Sequence, residues 1–204
     1  MSLAVWLAFL AAAIVIAVSP GPGAVLSMST GMRHGYRAAF IAILGLQAAL
    51  LVQLSIVALG FGALLATSEM AFAILKLCGA AYLVWLGIQR WRAPPQPLAA
   101  DLSVRGRGLF MQGLLVNLGN PKAIFFIGAL VPQFITPSAP LLPQYLAIAA
   151  TLCLTDLLVM SCYALAASHL GGWLRDPSAL RLQNRLFGSL FVSAGVALAV
   201  SARN

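Results

Sequence analysis

Acidic residues are almost missing from this 204-residue chain: four Asp and Glu stand against twelve Lys and Arg, and charged side chains make up only 8% of the whole. A water-soluble globule of this length needs far more solvating groups, so a soluble enzyme or binding module is excluded and lipid must be the solvent. Cysteine is scarce too. Cys78, Cys153 and Cys162 are odd in number, lie inside apolar runs and have no CxxC or Cys/His spacing. They are expected to be small core residues rather than metal ligands or disulfide partners. No nucleotide-binding motif, HExxH pair or GxSxG elbow occurs, so neither ATP use nor zinc or serine hydrolysis has a sequence basis. No metal or cofactor is expected.

What is present is apolar sequence. Hydrophobic side chains make up 62%, and charge is absent from 1–32, 38–68, 157–174 and 186–202. A bilayer core is crossed by roughly 20 apolar residues. The first run carries no Lys or Arg at its start and outlasts a signal-peptide core, so it reads as a retained helix. Helices are expected over about 3–31, 38–66, 70–89, 109–135, 142–168 and 186–202: an all-α membrane protein of about six spans.

The arginines alternate between the connections. Arg33 and Arg37 follow the first helix, Arg90, Arg92, Arg105 and Arg107 the third, and Arg175, Arg181 and Arg185 the fifth, while the other two connections carry no Lys or Arg. This is an orientation signal rather than a nucleic-acid stripe, and it puts the Arg-bearing loops in the cytoplasm and both termini on the periplasmic side. The stretch about 93–103, with Ala93-Pro94-Pro95-Gln96-Pro97, reads as a linker inside one transporter domain, 1–204. It joins half-repeats of about 1–92 and 104–204 whose three helices enter the membrane from opposite sides.

Ser19-Pro20-Gly21-Pro22-Gly23 interrupts the first helix, and Asn117-Leu118-Gly119-Asn120-Pro121-Lys122 interrupts the fourth, the first helix of the second half. Proline removes a donor and clashes with the preceding turn, which frees backbone groups that are tolerated at membrane depth only within protein or beside a watery cavity. Ordinary proline kinks would explain either motif alone. The matched pair points to a transport site lined by Pro20, Gly21, Pro22, Gly23, Asn117, Asn120, Pro121 and Lys122.

Lys122 and Asp156 are costly at depth and belong in the bundle interior, either as a structural ion pair or as groups that meet a zwitterion and a proton. Gln47 and Gln53 could line the same cavity or bond helix to helix. Lys76 is shallow enough to snorkel, and Tyr82, Trp85 and Trp91 suit the interfacial belt. Asp156 has no second membrane aspartate to form a catalytic dyad, and His34 and His169 sit at loop or helix-end positions, so an intramembrane enzyme has little support. A non-transporting scaffold would have no need of Asn120, Lys122 and Asp156 at depth. Gly188 and Gly195 give the last helix a smooth stripe that suits a homodimer.

Ser19-Pro20-Gly21-Pro22, Asn120-Pro121-Lys122 and Pro132-Gln133-Phe134 resemble the signatures of the LysE/RhtB superfamily of amino-acid exporters. The resemblance runs through Leu75-Lys76, Gly79-Ala80-Ala81-Tyr82-Leu83, Trp85-Leu86-Gly87-Ile88-Gln89 and Phe187-Gly188-Ser189-Leu190-Phe191. It is strongest to the homoserine/homoserine lactone efflux branch, with Ala49 where that branch tends to have glycine and Gln53 where it tends to have histidine. The resemblance implies proton-driven export of homoserine, its lactone or related neutral amino acids across the bacterial inner membrane. As the only deeply placed acid in the chain, Asp156 is the first choice for proton coupling, and threonine, leucine or another small solute is the alternative cargo.

Overall fold

A computed structural model describes residues 1–67, 69–94, 108–170 and 177–200. Those residues form an all-α membrane protein. Its elements are α1 (Leu3–Val18), α2 (Pro22–Thr67), α3 (Glu69–Arg92), α4 (Leu109–Leu118), α5 (Pro121–Phe125), α6 (Leu141–Leu170) and α7 (Pro177–Val200). Beyond α5 the chain continues through a π-helical turn, Phe126–Leu130, and a 3-10 turn, Val131–Phe134. Most of the linker about 93–103, together with Arg105, Arg107 and Arg175, lies outside the described residues, as do the side chains of Lys76 and His169.

Helix ends follow from local chemistry. Ser2 caps α1 by accepting from the Val5 amide at 3.3 Å, and the helix stops at Ser19, ahead of Pro20. The chain re-enters a helix at Pro22, where the missing N–H costs nothing in a first turn. The same device recurs in the second half. There α4 ends at Leu118, Asn120 accepts from the Lys122 amide at 3.1 Å, and Pro121 opens α5. The axis bends by 54° across that break.

Gly35 divides α2. Its φ of 77° and ψ of 172° fall where only glycine is at ease. An unbroken helix would hold residues 23 and 46 roughly 35 Å apart. Instead Gly23 lies against Leu46, so the chain turns back at Gly35. The arm before the turn packs on α6 and the arm after it on α4. Gly31 meets the backbone of Ala164 in the first contact, and Gly45 and Gly113 bring the α2 and α4 backbones together in the second. The third large contact joins α3 to α7, where Gly87 and Gly188 face each other and Gly195 meets Ala80. The glycine stripe of the last helix is therefore covered within the chain and is not free for a second copy.

Two more expectations change. The last helix begins at Pro177 rather than at 186, so Arg181 and Arg185 stand on its first turns, and Arg90 and Arg92 likewise end α3 instead of lying in a loop. Proline opens a helix readily, and the exposed Arg92, Arg181 and Arg185 can reach the interface from a helix end without interrupting it. Cys78 and Cys162 are exposed on the outer surface rather than in the core, and Cys153 is half-buried.

That outer surface is apolar: Leu59 is 82% exposed, Leu142 69% and Leu158 65%. Water would not tolerate so much, whereas hydrocarbon does. Runs within α2 and α6 are long and apolar enough to cross a membrane, and α4 with residues 121–134 makes a third such segment as a bent pair. Inside, buried side chains gather in two clusters. One centres on Phe9, Phe126, Ile127, Val131, Ile148 and Phe191, the other on Leu26, Ile43, Leu46, Met160 and Ala164.

Candidate functional site

A cavity of about 40 Å3 lies at the junction of the two clusters. A buried water needs roughly 10–15 Å3, so there is room for a few waters, and an amino acid would require the walls to part. Its polar lining is Asn117, Asn120, Lys122 and Asp156 together with the backbone at Gly23, and the rest is aliphatic or aromatic, with Ala13, Ala17, Leu50, Phe126 and Leu152 among it.

The breaks in the two helices meet here. When α1 stops, the carbonyls of its last turn lose their intrahelical donors. Lys122 supplies two, with Nζ donating to the carbonyls of Ile16 at 2.9 Å and Ser19 at 2.6 Å, and the Tyr163 hydroxyl donates to Val18 O at 2.6 Å. A cation at a helix C-terminus is also favoured by the helix dipole. Gly21 permits the approach, since a Cβ there would stand 3.2 Å from both Cε and Nζ of Lys122.

An amide network steadies the second break. Asn120 Nδ2 donates to Asn117 Oδ1 at 3.0 Å, Asn117 Nδ2 donates to Leu46 O at 3.0 Å, and Gln53 Nε2 donates to Asn117 O at 2.9 Å. On the facing side, Gln47 Nε2 donates to Asp156 Oδ2 at 2.7 Å. Asp156 is half-buried and lines the cavity, and Lys122 is near enough for its charge to act on the carboxylate.

The structure therefore brings Gly21, Gly23, Asn117, Asn120, Lys122 and Asp156 together. Pro20 is buried in the first break, whereas Pro22 and Pro121 sit exposed at the helix starts they create. Gln47 and Gln53 stand one layer behind the wall and hold groups that line it. Tyr82 turns inward to stack on Phe125, with ring centroids 3.7 Å apart, while Trp85 and Trp91 are exposed and His34 is on the surface.

Ile16, Val18 and Tyr163 escaped the reading of residue types. For the first two the working atom is a backbone carbonyl on an apolar residue, which no side-chain signal marks. Tyr163 follows Asp156 by seven residues, two helical turns along one face, a spacing that could have found it.

Residues 14–202 match the family described as LysE type translocator. The chain belongs to that family. It is 45% identical to the homoserine/homoserine lactone efflux protein of Salmonella typhimurium over 98% of this chain and 97% of that protein. It is 42% identical to an uncharacterized membrane protein of Vibrio cholerae, over 98% of this chain and 99% of the other. A leucine efflux protein of an Enterobacter species is 30% identical, with 94% and 93% covered. No solved structure gives a significant match. The chain is a translocator of the membrane, and its candidate site lies where the two broken helices converge.

Proposed function

We propose that this translocator is a secondary exporter that moves homoserine, homoserine lactone or a related small neutral amino acid outward across the bacterial inner membrane in exchange for protons. Its six passages form two inverted halves of about 1–92 and 104–204, with both termini periplasmic. The observation that carries the reading is the convergence of both helix breaks, Lys122 and Asp156 on one cavity. Relatives named for homoserine and homoserine lactone efflux support the cargo.

The amides of Gly23 and Ala24 belong to a first helical turn, whose donors have no carbonyl within the helix. With the positive end of the helix dipole and the Lys122 ammonium, they make this corner of the cavity suited to a carboxylate. Asp156 is the group that carries the proton. Rocking of the two halves alternates access, with the Phe9, Phe126 and Phe134 rings closing one side and the bond from Tyr163 to Val18 closing the other.

Counterflow in proteoliposomes tests the assignment. Labelled homoserine is expected to accumulate against unlabelled homoserine inside, with stronger competition from its lactone and threonine than from lysine. No exchange of any amino acid by folded protein would refute it and shift weight to a scaffold role.

A further inference from the structure

We infer that the carbonyls of Ile16 and Ser19 at the broken end of α1 form the substrate's ammonium site, which Lys122 holds in this conformation. This deepens the proposed function and rests on it: the ammonium of the cargo takes the place of the Lys122 ammonium, and Asp156 is left to the proton.

The chemistry of the two ammonium groups is the same. A lysine ammonium is a compact charge with three N–H donors, and so is the α-ammonium of an amino acid. The cradle suits such a group. Two carbonyls lie at 2.9 and 2.6 Å from Nζ, on residues that are 9% and 0% exposed, at the negative end of a 16-residue helix. Gly21 leaves its floor open, and the freed carbonyl at Val18 is occupied by Tyr163.

Lys122 stands on the first turn of α5 at the end of a flexible four-carbon stem, with its amide fixed by Asn120. It can leave the cradle without moving its own backbone. Once displaced, its ammonium is available to the carboxylate of the same substrate. A zwitterion then gains two partners through one exchange, while a lactone, which has an ammonium but no carboxylate, gains only the cradle. Lys122 thus competes with every cargo for the cradle and repays only those that carry a carboxylate.

The test is competition for exchange of labelled homoserine lactone in proteoliposomes of the full chain, with homoserine, homoserine lactone and γ-butyrolactone as competitors. Wild-type protein should recognise the first two and ignore the third, which has no amine. In Lys122→Met the competitor is gone from the cradle, so lactone should compete as well as before or better, while homoserine should weaken at least tenfold. Lys122→Gln, whose neutral amide can hold the same carbonyls only weakly, should shift the two ligands in the same directions by less, and serves if Lys122→Met does not fold. Asp156→Asn should still exchange lactone.

Equal loss of both ligands in folded Lys122→Met would make Lys122 a strut and overturn the inference, as would loss of lactone recognition in folded Asp156→Asn. Absence of exchange in wild-type protein would instead remove the transport reading on which it stands, a result distinct from either.

Discussion

Asn120 holds both sides of the second break with one carboxamide: its Oδ1 accepts from the Lys122 amide while its Nδ2 donates to Asn117. Removing a helix cap costs about 1 kcal/mol, so Asn120→Ala should lower the melting temperature in detergent by a few degrees. The larger effect should fall on homoserine exchange, slowed at least tenfold because Lys122 loses its anchored backbone. Asn120→Asp keeps the acceptor and loses the donor, and should lie between the two. Asn120, Lys122 and Asp156 were legible in the sequence because polar groups at membrane depth are expensive and need a reason. The carbonyls that Lys122 and Tyr163 hold were not, because Ile16 and Val18 differ in no visible way from the other aliphatic residues of α1.

Among the elements, the broken helices could be read in advance because proline acts locally: Pro20 and Pro121 each end one helix or open the next wherever they stand. The turn at Gly35 was legible as a charged interval between apolar runs, although its geometry was not. Gly35→Ala would force alanine into a glycine-only conformation at a cost of about 1–3 kcal/mol, with open space around the new methyl. Gly113→Ala fails for the opposite reason, since its Cβ would strike the Ala42 carbonyl in the crossing of α2 and α4. A methyl forced into that crossing should cost about 1–3 kcal/mol as well. Thermal unfolding in detergent checks both, and a stable Gly113→Ala would show that the helices separate easily. The start of α7 was misplaced because Arg181 and Arg185 look like loop residues until the helix beginning at Pro177 presents them to an interface. Gln144 was missed altogether, yet it fastens the turn before α6 by accepting from the Thr136 amide at 2.9 Å and donating to the Thr136 and Pro140 carbonyls at 3.0 and 3.1 Å.

For the whole molecule, the three large contacts among the described residues pair the arm of α2 before Gly35 with α6, the arm after it with α4, and α3 with α7, the pattern that the proposed inverted halves would give about a two-fold axis. The glycine pairing of α3 with α7 could not be foretold, since a small-residue stripe suits a partner chain and a neighbouring helix equally. The proposed inverted halves would place the exposed Ser138 outside and the exposed His34 inside. In a background with the native cysteines replaced, Ser138→Cys should react with a membrane-impermeant thiol reagent in intact cells, and His34→Cys only after permeabilisation. Reversed labelling would overturn the orientation.

The central claim is that Asp156 couples a proton to cargo at the junction of the two broken helices, and it is tested most directly by comparing net and exchange fluxes in Asp156→Asn. The folded variant should lose homoserine flux driven by an imposed pH gradient at least tenfold while keeping homoserine exchange at zero gradient. Normal gradient-driven flux in that variant would contradict it.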